Sequence, residues 1–103
     1  MNRIERIQEM LQASPEDNFL RHALALEFIK IDNDTAAEQL LKAILTQSPE
    51  YIGSYYHLAK LLERKGDTQE AIQWCEQGLQ AAKKQNDMHA YSELQSAYED
   101  LVY

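Results

Sequence analysis

The sequence predicts an all-α protein, and three observations carry that expectation: a helix-forming composition, a repeat of thirty-four residues, and apolar residues at helical spacing inside each repeat. Ala, Leu, Gln, Glu and Lys dominate, all strong helix formers. Only 3 Gly and 2 Pro occur in 103 residues, too few for a turn-rich β protein. Ser14-Pro15-Glu16 returns as Ser48-Pro49-Glu50, and in that register Leu24-Ala25 aligns with Leu58-Ala59, Ala37 with Ala71, Gln39 with Gln73 and Leu45 with Leu79. Eight of the thirty-four positions are thus identical.

Residues 3–13 place Ile4, Ile7, Met10 and Leu11 on one helical face, where the second helix of a preceding hairpin would fall. The first repeat, 14–47, holds two stripes: Leu20, Leu24, Phe28 and Ile31, then Ala37, Leu40, Leu41, Ile44 and Leu45. The second repeat, 48–82, answers with Tyr55, Leu58 and Leu62, then Ala71, Ile72, Cys75 and Leu79. Short polar breaks, Asp32-Asn33-Asp34 and Gly66-Asp67, divide each repeat. Gly66 suits the left-handed conformation that ends a helix, with Asp67 or Thr68 capping the next. Asn33 is expected to take the glycine part in the first repeat. Ser14-Pro15 and Ser48-Pro49 read as N-cap plus first-turn proline, with Glu16 and Glu50 set against the helix dipole. Residues 87–102, with Tyr91, Leu94, Tyr98 and Leu101, read as a closing helix. The expectation is about six helices in one domain spanning 1–103.

Composition also narrows function. A formal net charge of −7 is repelled by phosphate backbones and anionic lipid, so neither nucleic acid nor a membrane is an expected partner. No apolar run approaches the ~20 residues that span a bilayer, and the polar start lacks a signal-peptide core. Cys75 is the sole cysteine, which excludes an intrachain disulfide and points to a reducing cytoplasm. It takes a core position and reads as an inert packed thiol, with Trp74 beside it as a packing residue. His22, His57 and His89 show no ligand spacing on one helix face. There is no phosphate loop, nucleophile elbow or zinc motif. No catalytic residue, metal or cofactor is assigned, and the expectation is a non-enzyme.

The pattern resembles the tetratricopeptide repeat, whose signature runs W-x2-L-G-x2-Y, A-x3-F and P. The second repeat reads Tyr55-x2-Leu58-Ala59-x2-Leu62, then Ala71-x3-Cys75-x2-Gly78. The first reads Arg21-x2-Leu24-Ala25-x2-Phe28, then Ala37-x3-Leu41-x2-Ile44 and Pro49. Ala25, Ala37, Ala59, Ala71 and Gly78 are the small residues that let helices approach closely. Arg21 departs from the bulky apolar opening. Lys83 stands where a further proline is usual, so that helix is expected to run on by a turn. Gln95 follows Leu94 where the family has a small residue, which makes the last helix a cap.

The resemblance implies a right-handed α-solenoid of antiparallel hairpins: two full repeats with flanking capping helices. It implies a protein–protein interaction module that holds a peptide or protein segment on a concave face lined by the first helix of each hairpin. Matched positions are Phe19, His22, Leu26, Ile29 and Lys30, then Gly53, Tyr56, Lys60, Glu63 and Arg64, with His89, Ser92, Ser96 and Glu99 from the closing helix. Phe19, Leu26, Ile29 and Tyr56 would be apolar anchors unless the end helices cover them. Lys30, Lys60 and Arg64 would receive an acidic peptide or carboxylate, or else Lys30, Arg64 and Lys65 merely complement helix dipoles. His22 and Leu26 occupy the positions of the carboxylate clamp some members carry, and Leu26 cannot donate a hydrogen bond. The alternative is a homodimerising module, paired about a two-fold axis through chain ends bearing Ile4, Ile7, Tyr98, Val102 and Tyr103. A small enzyme is the remote third reading.

Overall fold

The structure is a computed structural model that describes residues 2–103. Six helices follow one another: α1 (Arg3–Ala13), α2 (Asn18–Lys30), α3 (Asp34–Gln47), α4 (Gly53–Lys65), α5 (Thr68–Lys84) and α6 (Met88–Val102). There is no strand among the described residues.

Five helices begin on an Asn or Asp whose side chain accepts an orphan backbone N–H three residues on: Asn2, Asp17, Asn33, Asp67 and Asp87. Two kinds of turn join them. In the first, a left-handed residue precedes the cap: Asp32 (φ 61°) before Asn33, Gly66 (φ 89°) before Asp67, and Asn86 (φ 60°) before Asp87. The cap N–H then reaches back to the preceding helix, to Phe28 O at 2.8 Å, Leu62 O at 2.9 Å and Ala82 O at 2.8 Å. This satisfies a carbonyl that the helix end would leave unpaired. Asn33 is therefore a cap, and Asp32 takes the left-handed part expected of it.

The second kind is the Ser-Pro turn, and here the sequence expectation is corrected. Ser14 and Ser48 end α1 and α3; they do not start α2 and α4. A residue before proline is disfavoured in the helical region, so the chain leaves the helix at the serine. Pro15 and Pro49 then occupy turns closed by Asp17 N–H to Ser14 O (3.1 Å) and Tyr51 N–H to Ser48 O (2.9 Å). Glu16 and Glu50 lie in these turns, outside the helices' first turns. Where Lys83 replaces proline, α5 continues to Lys84, the extra turn expected there.

Each helix packs chiefly on its neighbours in sequence, and α4 also packs on α6. The core is a line of small and large residues. Ala25, Ala37, Leu41, Leu58, Leu61 and Leu62 are buried where α2, α3 and α4 meet, and Ala71 and Leu94 continue the same core towards α6. Each buried leucine contributes roughly 1.5–3 kcal/mol. Tyr55, wholly enclosed, donates its hydroxyl to the Pro49 carbonyl. On a polar seam Lys42 of α3 holds Glu38 at 2.7 Å and Glu70 of α5 at 2.6 Å, while Lys65 of α4 reaches Glu38 at 3.2 Å. The result is an elongated all-α solenoid, 43 × 29 × 20 Å.

Candidate protein-binding face

Helices α2, α4 and α6 alternate with α3 and α5; α4 packs on α6, and α2 meets α4 through side chains. The meeting of α2 and α4 is polar. His22 Nδ1 lies 2.8 Å from the hydroxyl of Ser54, which is fully buried. The His22 ring sits 5.5 Å from His57 and 5.9 Å from Tyr51, and His57 meets Tyr56 edge-on at 5.7 Å. Burial lowers the His22 pKa from its ordinary value, and the neighbouring His57 adds to the effect. Burial lowers that of His57 too; Glu93 opposes the shift and Arg64 adds to it. Both rings are therefore held towards the neutral form, which can accept as well as donate a hydrogen bond.

The cations around this centre are not free. Lys60 pairs with Glu63 at 3.0 Å, and that hydrogen bond raises its pKa. Arg64 grips Asp34 of α3 through both Nε and Nη2, each at 3.1 Å. Lys30 shares Glu27 with Arg3, both at 3.1 Å. These pairs are only partly buried, so an incoming carboxylate can replace the internal partner at small cost.

No helix among the described residues is long and apolar enough to cross a membrane. Among the same residues no group of His, Cys, Asp or Glu is arranged to hold a metal ion. Cys75 is buried, and burial pushes its thiol pKa up to about 11, far from the thiolate a nucleophile requires.

The sequence profile of the tetratricopeptide repeat matches residues 35–98. The chain belongs to the tetratricopeptide repeat family. A tetratricopeptide repeat domain protein from Salinibacter ruber is 40% identical in sequence, and its crystal structure superposes with a TM-score of 0.80 over 82% of this chain and 94% of that one. A protein from Bordetella parapertussis is 31% identical, with a TM-score of 0.83 over 98% of this chain and 88% of its own. The mouse interferon-induced protein with tetratricopeptide repeats 3 is 20% identical over 99 residues; the match takes in 96% of this chain and only 24% of that protein. Membership supports a protein–protein interaction module, and the family is typically scaffold rather than enzyme.

Within this tetratricopeptide repeat array the sequence-predicted groove residues divide into groups. His22 lies at the α2–α4 seam, with Leu26 and Ile29 half-buried along α2. Tyr56 instead packs against the Ala59, Cys75 and Ala97 cluster between α4, α5 and α6, and Lys60, paired with Glu63, lies on that side near Asp100. Arg64 is drawn aside by Asp34. Phe19, 72% exposed, stands apart and lines a groove between α1 and α2 with Met10. His89 and Ser92 are exposed on the first turns of α6.

Ser54 and Tyr51, which complete the histidine cluster, were not expected from sequence. A signal existed: Ser54 lies thirty-four residues after Leu20, a hydroxyl at an apolar position of the repeat. Likewise Arg21 stands in register with Tyr55, and its guanidinium bonds Asn18 at 2.6 Å and Gln47 at 2.8 Å.

Proposed function

We propose that this chain is a non-catalytic adaptor that binds an extended segment of a partner protein across α2, α4 and α6. The reading is supported by the partly buried His22–His57 pair, with Tyr56 edge-on to His57 and half-buried Leu26 one turn beyond His22 on α2, in a tetratricopeptide repeat array. Apolar anchors supply most binding energy when they fill shallow pockets. The fixed imidazoles can pair with the partner's backbone, and Lys60 exchanges Glu63 for a partner carboxylate. The cytoplasm is the proposed setting, which the single free thiol supports.

A displayed library of random peptides, selected on the whole protein, tests this. Selected peptides are expected to shift the backbone resonances of Leu26, Tyr56 and Lys60, and to lose roughly tenfold or more in affinity on Tyr56→Ala. Peptides that perturb only the opposite faces of α3 and α5, or that bind Tyr56→Ala unchanged, sink the reading.

A further inference from the structure

Every groove between consecutive helices α3/α4 and α5/α6 is covered by the helix that precedes it. Ala25 of α2 joins Leu41 of α3 and Leu58 of α4 in one core, and His22 of α2 bonds Ser54 of α4. One repeat later α4 plays this part: Tyr55 lies against the backbone of Gly78 in α5, where Leu94 of α6 also arrives. The groove between α1 and α2 is built in the same way, and no helix covers it among the described residues.

The repeat register shows what is left open. Met10 and Phe19 stand thirty-four residues before Ile44 and Gly53. Ile44 is 0% exposed, whereas Met10 is 49% and Phe19 72% exposed. They line an open groove of about 460 Å³ whose rim carries Arg6 and Arg3, the latter paired with Glu27.

The other end of the array has the complementary defect. In α4, Tyr55 and Leu62 are buried, Tyr55 against Gly78 of α5. Their counterparts in α6, thirty-six residues on, are Tyr91 and Tyr98, and both stay half-buried. Tyr91, Gln95, Tyr98 and Val102 fall on successive turns of one α6 face. Helix α6 carries Glu93, Glu99 and Asp100, and no Lys or Arg.

We infer that a second copy of this chain docks head to tail, with α6 of one copy seated in the α1/α2 groove of the next. Helix α6 is of the same type as α2 and α4, the helices that fill the equivalent internal grooves. Its docking continues the alternation of first and second helices across the junction. It also brings Glu99, which bonds Gln95 on that face, towards Arg6, whereas a two-fold pairing of like ends brings Arg6 to Arg6. The contact is heterologous and does not close, so assemblies lengthen with concentration. Arg3 and Gln95 stand where Ala37 and Ala59 stand inside the array, so the helices meet through long polar side chains. The junction is consequently looser than an internal one and reversible.

Light scattering and sedimentation across the micromolar to millimolar range test this on the whole chain. Two surface substitutions mark the two ends: Met10→Glu sets an acid in the groove, and Val102→Arg sets a cation on the α6 stripe. Wild type is expected to gain mass continuously with concentration, and each variant alone to associate at least roughly tenfold more weakly. An equimolar mixture of the two variants keeps one intact groove and one intact α6, and is expected to form a one-to-one dimer that grows no further. That rescue also shows both variants to be folded. A wild type that remains monomeric throughout overturns the inference. So does a Val102→Arg chain that self-associates as well as wild type, or a mixture that forms no dimer.

Discussion

Gly78 lies on α5 at the point where Tyr55 and Leu94 close over its backbone. A Cβ there would stand 2.8 Å from Tyr55 Cβ and Cγ and 2.9 Å from Leu94 Cδ1. Neither neighbour can yield cheaply, because Tyr55 is fully buried and tied to Pro49 by its hydroxyl. Gly78→Ala should therefore destabilise by roughly 1–3 kcal/mol of overpacking, less the up to ~1 kcal/mol that alanine gains in a helix. Denaturant unfolding checks this, and a variant as stable as wild type contradicts the close approach. The small-residue role of Gly78 was legible in the sequence because the repeat signature marks the position. Arg21 shows what was not legible. Its departure from the signature was visible, but one of its two partners, Gln47, comes from α3. Its buried Nε has no partner at all, which only a packed structure can reveal.

At the scale of the element, the α2–α4 seam is a junction that responds to pH near neutrality. Burial lowers the pKa of His22 and of His57, so the unfolded chain takes up protons first as pH falls. The stability of this seam is complete above about pH 6.5, the ordinary histidine value, and declines as pH falls from there through the lower folded values. Glu38 and Glu70, depressed chiefly by their hydrogen bonds to Lys42, lose stabilisation only below the ordinary carboxylate range. Unfolding measured between about pH 7.5 and 5 should fall in stability, and His22→Gln should flatten that fall. An unchanged slope contradicts the assignment. Helices themselves were readable from apolar spacing, and so was the run-on of α5. The Ser-Pro turns were misread because serine before proline suits a helix start and a helix end alike. In the first of these turns the choice fell to Asp17, whose carboxylate caps α2 three residues beyond Ser14; α4 starts after Ile52 with no side-chain cap.

For the whole molecule, contact between successive helices makes stability a sum of local interfaces rather than one central core. Helix α1 has a single buried residue, Ile7, and packs on α2 alone, while α4 buries six residues between its neighbours. Native-state hydrogen exchange should accordingly protect α4 most and release α1 first. Equal protection of both would mean that the array opens only as a unit. The charged seam of Lys42, Glu38, Glu70 and Lys65 ties α3, α4 and α5 together and adds to this gradient.

The sequence by itself determined the all-α class, the thirty-four-residue repeat, the core stripes and the family. Each is a local or periodic property, written in which residues recur and at what interval. Only the tertiary structure decided how the surface is used internally: that Arg64 is held by Asp34, that Glu27 takes both Lys30 and Arg3, and that Phe19 stands with Met10. Those pairings join residues up to thirty positions apart, and their geometry follows from helix crossing and side-chain reach. A periodic pattern places a residue on a face; what that residue then touches depends on the neighbouring helix.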